Sequence, residues 1–200
     1  VTTDGELFTW GAGENGRLGT GDTLDCLSPT KVVALSDNRI FVEQVFAGSV
    51  HTCVLSREGS IYSFGKSEYT GHGLGDDVRL PHLLDAFQGK NVCQISVGPG
   101  GYHTLALTIT GDVYAWGHNR VGQLGYQNEN VGQRNVEGAH FLPTPMLVQN
   151  LPPYLNVCQV VAGWGHSAIV TKCGELWVCG RNFKGQLGLG DPSQFPMNER

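Results

Sequence analysis

The sequence is poor in charged residues and has no long apolar run. Charged residues make up 16% of its 200 residues, and the formal net charge is -5. Direct binding to nucleic acid or to an anionic membrane usually needs a basic face. We therefore expect neither; the alternative is a local basic patch on one rim. No signal peptide is present, and no segment approaches the roughly 20 apolar residues that cross a bilayer. We expect an intracellular protein, cytoplasmic or nuclear.

The six cysteines form no CxxC pair. Most lie within short apolar runs of the kind seen around Cys53, and the others are Cys26, Cys93, Cys158, Cys173 and Cys179. This pattern favours buried, free thiols in a reducing compartment over disulfides or a zinc site. We expect no cofactor and no metal.

Glycine, by contrast, is in excess, at 29 residues against the roughly 14 that average usage of about 7% would give. Much of the excess belongs to four copies of one aromatic–glycine motif. The copies are Gly5–Gly11, Gly59–Gly65, Gly111–Gly117 and Gly174–Gly180, and their first glycines are 54, 52 and 63 residues apart. Periods of this length indicate a solenoid or a propeller, in which each repeat buries its apolar face against its neighbours.

Each complete repeat has the same order of parts. An apolar stretch leads to a histidine and a hydroxyl residue, then to a strand, a tight turn, the aromatic strand and a Gly-x-Leu-Gly turn. The three histidines, His51, His103 and His166, each stand eight residues before the turn glycine. Constant spacing of this kind is required of a hairpin, because a slip of one residue would turn every side chain to the other face. No helical period is present, so the fold class is all-β.

These residues resemble the regulator-of-chromosome-condensation (RCC1) repeat, most clearly over Thr110–Gly125 and Cys173–Asp191. The resemblance covers residues 1–200 as one segment, with repeat motifs near 4–22, 41–77, 92–128 and 157–191. It implies a β-propeller of seven four-stranded antiparallel blades. About four of the seven are present here.

The blade count leaves three explanations open. The favoured one is that the segment is part of a longer ring whose remaining blades lie outside it. The alternatives are two arcs that associate into a ring-like dimer and a smaller closed propeller. An open arc would expose strand edges, which invites pairing.

The recurring histidines are predicted to be structural. They lie on different blades without acidic or cysteine partners at ligand spacing, so we expect each imidazole to tie a loop to a neighbouring strand and not to bind zinc. The tryptophans of the aromatic strands, Trp10, Trp116 and Trp177, are predicted to pack between blades.

The irregular segments are the candidate partner-binding sites. They are two short insertions, at 69–72 and 99–102, the lone Trp164, and a long polar insertion, Gln127–Leu142, for which a tolerated loop is the alternative. The predicted contact residues are Trp164, Tyr126, Asn128, Glu129, Arg134, Glu137 and His140. A photoreceptor of the family carries a Gly-Trp-Arg-His-Thr loop. Here Gly165 replaces the arginine and only one repeat has the tryptophan, which argues against photoreception.

The sequence predicts no catalytic residue. Its carboxylates recur at turn positions, and no nucleophile stands with a base. We therefore expect a non-enzymatic scaffold for protein–protein interaction within a larger protein, bound to a protein partner and to the remaining blades or a second copy. The alternative, which the resemblance implies, is guanine-nucleotide exchange on a Ran-type small GTPase.

Overall fold

The structure, a computed structural model, describes residues 1–126, 132–134, 138, 140–149, 151–152 and 154–190. Its strands are β1 (Phe8–Gly11), β2 (Cys26–Lys31), β3 (Val42–Ala47), β4 (His51–Ser56), β5 (Ile61–Gly65), β6 (Val78–Leu83), β7 (Val92–Val97), β8 (His103–Thr108), β9 (Val113–His118), β10 (Gln133–Arg134), β11 (His140–Leu147), β12 (Val157–Ala162), β13 (His166–Thr171) and β14 (Leu176–Gly180). Two short helices, α1 (Val33–Asp37) and α2 (Ser67–Thr70), and two 3₁₀ turns, Glu14–Gly16 and Asp85–Phe87, interrupt them.

The strands form four antiparallel sheets, one for each aromatic–glycine motif. Their orders are β1-β2, β3-β4-β5-β6, β10-β11-β9-β8-β7 and β12-β13-β14. We call them blades 1 to 4. The all-β propeller architecture with four-stranded antiparallel blades is thus confirmed in blade 2, and blade 3 adds the two-residue strand β10. None of the helices in the described part of the chain has the length and apolar character that a membrane span requires.

The first strand of each of blades 2, 3 and 4 carries a β-bulge at the same place. The register shifts between Val42 and Gln44, and the same shift recurs in β7 and β12. A bulge leaves one residue out of the ladder and re-aims its side chain. In β7 and β12 that residue is Cys93 and Cys158.

The bulges overturn part of the cysteine prediction. All six thiols are free, but Cys93, Cys158 and Cys173 are exposed, and Cys53 alone is fully buried. An apolar flanking sequence does not bury a residue that lies at a bulge or, like Cys173, in a hairpin turn. For Cys53 the prediction is confirmed, and its burial raises the pKa of its thiol to about 12.

Successive blades pack through an aromatic ring and a glycine turn. Phe64 of blade 2 lies against Gly19 in the turn of blade 1, and Trp116 of blade 3 lies against Gly71 in the turn of blade 2. Both rings are fully buried. The apolar residues between the blades form two clusters, one joining blades 1 and 2 around Phe64 and a larger one joining blades 2, 3 and 4 around Trp116.

The prediction that all three motif tryptophans pack between blades is correct for Trp116 and wrong for the other two. Trp10 occupies the same motif position as Trp116 but is 61% exposed, because no glycine turn covers its ring in the described chain. Trp177 is 38% exposed and occupies the position of Tyr114. Tyr114 pairs with the neighbouring strand β11, whereas no strand lies on the outer side of β14 among the described residues.

In blades 2, 3 and 4 the glycine that ends the aromatic strand touches the backbone of the histidine strand or of the residue just before it. A Cβ added to Gly65 would lie 2.4 Å from the carbonyl oxygen of Val50, and one added to Gly117 would lie 2.4 Å from that of Tyr102. The φ angle is +121° at Gly65 and +94° at Gly117. Gly11 has a φ of +101°, yet a Cβ there would meet no atom within 4 Å.

This pair of environments yields a matched prediction. Gly11→Ala should lower the free energy of unfolding by about 1–2 kcal/mol, the cost of a left-handed alanine. Gly117→Ala carries the same backbone strain plus the clash with Tyr102, and should cost about 1–3 kcal/mol more. Urea denaturation of the two variants measures the difference. Equal losses would mean that the close approach does not constrain this position.

Candidate interaction site

A buried hydrogen bond joins each described pair of consecutive histidine strands. His51 Nε2 lies 3.0 Å from Thr104 Oγ1, and His103 Nε2 lies 2.9 Å from Ser167 Oγ. All four side chains are buried. The predicted structural role of these histidines is confirmed, and the partner proves to be the hydroxyl residue that follows the next histidine in the sequence.

The hydroxyl of Ser167 determines the tautomer of His103. Ser167 Oγ donates its hydrogen to the carbonyl oxygen of Gln123 at 2.6 Å, so it can only accept from the imidazole. His103 must therefore carry its proton on Nε2. The Nδ1 atoms of His51 and His103 have no hydrogen-bond partner among the described residues.

Burial also keeps both imidazoles neutral. Desolvation lowers the pKa of His51 to about 4. The pKa of His103 falls to about 3, through desolvation first and then through repulsion from neighbouring histidines. A neutral, fully buried ring cannot serve as an accessible acid or base near pH 7.

The loops that precede the histidine strands and the ends of the aromatic strands lie at the same edge of the sheets. We call this edge the histidine rim and define it by the loops 48–50, 98–102 and 163–165 and by the turns that follow Gly11, Gly65, Gly117 and Gly180. The two short insertions meet here, since Tyr69 contacts Tyr102 edge-to-face at 5.5 Å between ring centroids. They fill space between blades 2 and 3.

Trp164 lies on the histidine rim beside Arg181 and Phe183, which are half-buried. Its side chain is 55% exposed. The Arg181 guanidinium carbon lies 4.6 Å from the centroid of Trp164 and 5.0 Å from that of Phe183. We call these three residues the tryptophan patch. Sequence reasoning found Trp164 as an irregularity but missed Arg181, whose signal was an arginine directly after the motif glycine.

The turns of the histidine rim in blades 1 and 2 carry both acids and cations, whereas the described residues of these turns in blades 3 and 4 include cations and no acid. Glu14 pairs with Arg17 at 2.7 Å, and Glu68 pairs with Lys66 at 3.4 Å. The remaining cations are Arg120, Arg181 and Lys184, and no salt bridge in the described part of the chain includes them. Blades 3 and 4 therefore present a local positive charge on a protein whose net charge is -5.

The structure does not gather the other predicted contact residues around Trp164. Tyr126 is buried in the core, and its hydroxyl donates to the carbonyl oxygen of Leu147 at 2.5 Å. Arg134 is exposed and donates to the carbonyl of Gly138 at 3.2 Å. His140 begins β11 at the histidine rim, where its carbonyl accepts from the Asn119 amide at 2.7 Å. The last three predicted residues, Asn128, Glu129 and Glu137, lie outside the described residues.

No three metal-binding side chains come together in the described ranges, whether histidine, cysteine, aspartate or glutamate. A cavity of about 420 Å³ lies between blades 1 and 2. Its wall is formed largely by β1 and by the residues of β3 and the following loop.

Comparison with known families identifies the repeat. The model of the regulator of chromosome condensation (RCC1) repeat matches residues 4–55, 58–107 and 110–170, and a second model of that repeat matches residues 42–70, 92–123 and 157–186. The chain belongs to the RCC1 repeat family.

Relatives of known name support this assignment. The chain is 38% identical over 194 residues to the ultraviolet-B receptor UVR8 of Arabidopsis thaliana, covering 96% of this chain and 40% of UVR8. It is 32% identical over 192 residues to the human E3 ubiquitin-protein ligase HERC2, covering 95% of this chain and 4% of HERC2.

Solved structures agree on the fold. Human WBSCR16 superposes with a TM-score of 0.76 at 27% identity, over 96% of this chain and 47% of that one. Prp20p of Saccharomyces cerevisiae gives 0.74 at 20% identity, over 98% of this chain and 46% of that one, which speaks for the fold alone. The chain spans less than half the length of the relatives described here.

The RCC1 repeat is out of phase with the blades. The match over residues 4–55 begins before β1 and ends in β4, so it contributes two strands to blade 1 and two to blade 2. Each RCC1 repeat therefore ties two neighbouring sheets together covalently. The buried histidine contacts reinforce the same junctions.

The lowered histidine pKa values predict a pH dependence of stability. Between pH 6.5 and about 4 the histidines of the unfolded chain bind protons, whereas folded His51 and His103 do not. Their contribution to the free energy of unfolding is therefore fully present above pH 6.5 and is lost as the pH falls below it. His51→Gln retains an amide N–H donor but cannot titrate. It should reduce the slope of the unfolding free energy against pH by up to about 1.4 kcal/mol per unit.

Urea denaturation between pH 4 and 7 measures this slope. The control is His82→Gln, because His82 is exposed. If the slope measured for His51→Gln equals that of the unsubstituted chain, the neutral, buried state of His51 is contradicted.

Proposed function

We propose that this chain is a protein-interaction module whose contact surface is the histidine rim around the tryptophan patch. The observation that carries the proposal is the exposed Trp164 ring stacked on Arg181. Tryptophan and arginine are the residues most enriched at the energetic centres of protein interfaces. An ordered stack of this kind is already positioned before a partner arrives, which reduces the entropy lost on binding.

Charge favours an acidic partner surface. Arg181 has no carboxylate partner among the described residues, and its Nε atom is buried without a hydrogen bond. A guanidinium held against aromatic rings keeps donors free for a carboxylate in the partner. Arg120 and Lys184 in the neighbouring turns would add to the attraction.

The proposal treats residues 1–200 as one propeller segment within a larger protein, in agreement with the greater length of its relatives. A non-catalytic role is supported by the state of His51 and His103, which are buried and neutral. They hold the blades together and are not available to a substrate.

The tryptophan patch can be tested by substitution. Trp164→Ala removes the exposed ring, and Arg181→Glu reverses the charge beside it, so both should deplete the same partners in quantitative affinity purification, by about tenfold or more. Trp177→Ala is the matched control, because Trp177 is a partly exposed tryptophan of the same blade outside the patch. Identical partner profiles for all three variants would overturn the proposed surface.

Guanine-nucleotide exchange remains a separate prediction with its own test. We expect the chain at micromolar concentration to leave the release of fluorescent GDP from a Ran-type GTPase unchanged, since the proposed surface serves to dock a partner. Acceleration that Trp164→Ala leaves intact would assign exchange to another part of the molecule. Acceleration that Trp164→Ala abolishes would make the partner a GTPase and the function exchange.

A further inference from the structure

The strand that follows the aromatic strand carries the same bulge in blades 1, 2 and 3. In each of them the register of the pair shifts, so that one aromatic residue faces three residues of the outer strand. Trp10 faces residues 27–29, Phe64 faces 79–81 and Trp116 faces 143–145. A bulge leaves its extra residues out of the ladder and bends the strand. We call these three segments the outer bulges.

The last residue of every outer bulge is a proline. The three are Pro29, Pro81 and Pro145. Proline has no N–H to give to a ladder, so it is tolerated where the strand is unpaired. It also keeps the residue before it in an extended conformation. The proline therefore has a structural reason in all three blades.

The residue before this proline is exposed in all three blades, but its chemistry differs. Ser28 and Thr144 carry hydroxyls, whereas Leu80 does not. Leu27, beside Ser28, is 98% exposed, so this bulge lies clear of the core. Neither hydroxyl makes a hydrogen bond within the described part of the chain. The fold gives no reason for a hydroxyl at these two positions.

The outer bulges are ordered and open to a partner. The N–H of Gly21 donates to the carbonyl oxygen of Arg79 at 3.0 Å, and that of Gly73 donates to Pro143 at 2.9 Å, so the preceding blade holds the first residue of a bulge. Among the described residues β2 pairs with β1 alone, and β10 reaches only the first two residues of β11. An extended segment that is already ordered loses little entropy on binding.

Ser28-Pro29 and Thr144-Pro145 are the two places in the sequence where serine or threonine precedes proline. Both lie in outer bulges. A kinase that binds its substrate as an extended segment, and offers no acceptor for the N–H of the residue after the hydroxyl, favours proline there. Any other residue would bury an N–H without a partner.

We propose that Ser28 and Thr144 are phosphorylation sites for a proline-directed serine/threonine kinase. The hydroxyl oxygen attacks the γ-phosphorus of ATP, so that a new P–O bond forms as the bond from this phosphorus to the β–γ bridging oxygen breaks. ADP leaves, and the hydroxyl proton passes to the catalytic aspartate of the kinase. Each phosphate adds a charge of about -1.5 to -2. The proposal does not rest on the tryptophan patch, which lies on blade 4.

Phosphorylation of the 200-residue chain in vitro tests the proposal. The chain is incubated with ATP and a cyclin-dependent kinase, and the modified residues are mapped by mass spectrometry. We expect one phosphate at Ser28 and one at Thr144. Ser28→Ala and Thr144→Ala should each remove one of them. Thr110→Ala is the control, because Thr110 is an exposed hydroxyl residue in a hairpin turn without a following proline.

Two further variants separate the bulge from the proline. Pro29→Ala should slow phosphorylation of Ser28 by about tenfold or more, the cost of one unpaired N–H, and should leave Thr144 unchanged. Leu80→Ser places a hydroxyl before proline in the outer bulge of blade 2, and a third phosphate should appear there. Neither hydroxyl takes part in the fold, so phosphorylation should leave the thermal unfolding temperature unchanged.

A synthetic peptide with the sequence of residues 23–33 is the unfolded reference for Ser28. The folded chain should be modified at a rate within about tenfold of the peptide, because its bulge is already extended. A rate more than about a hundredfold below that of the peptide would show that the kinase reaches the site only after unfolding, and would overturn the proposal.

Three other results would also overturn it. They are no phosphate at either site, modification of Thr110 at the same rate, and a folded Leu80→Ser chain without a third phosphate. Circular dichroism checks that each variant is folded. If Pro29→Ala or Leu80→Ser does not fold, the mapped sites of the unsubstituted chain and its comparison with the peptide decide the question.

Discussion

The close contact between a glycine and a histidine at the start of each hairpin is the constraint on which the other inter-blade contacts depend. Because Gly117 has no side chain, the backbone of His103 can approach it, and the imidazole of His103 then reaches Ser167 on the next blade. Ser167 in turn donates to the turn carbonyl of Gln123. One buried side chain thus connects a strand, the next blade and a turn, in an environment where an unsatisfied polar group would be costly.

The phase of the RCC1 repeat explains why such contacts recur. Because a repeat begins in one sheet and ends in the next, the chain itself sets the order of the blades, and the histidine bond needs only to set their distance. Side chains at the histidine rim carry no part of this bond. The residues of the rim can therefore differ from blade to blade. Ser49 stands after the loop glycine of blade 2, and the exposed Trp164 stands at the same place in blade 4.

Particular residues show which contacts the sequence pattern predicts and which it does not. Trp10 and Trp116 share a motif position, and only the presence of a covering glycine turn separates a 61% exposed ring from a buried one. Cys93 lies in an apolar stretch and is still exposed, since a bulge is not visible in the pattern of apolar residues. Trp164 was recognisable because it breaks the repeat, whereas its stack on Arg181 joins residues 17 positions apart across a hairpin. Tyr126 shows the reverse error: its polar sequence neighbours suggest an exposed contact residue, whereas its hydroxyl makes a hydrogen bond inside the core.

The sequence by itself determined the all-β class, the period, the hairpin register and the positions of the turns. These properties depend on local spacing, which fixes the side of the strand on which each residue lies. Only the tertiary structure decided which hydroxyl each histidine reaches, 53 or 64 residues further along the chain, and which cations keep no acidic partner. Such features arise from the distances between blades, and a periodic sequence does not state them.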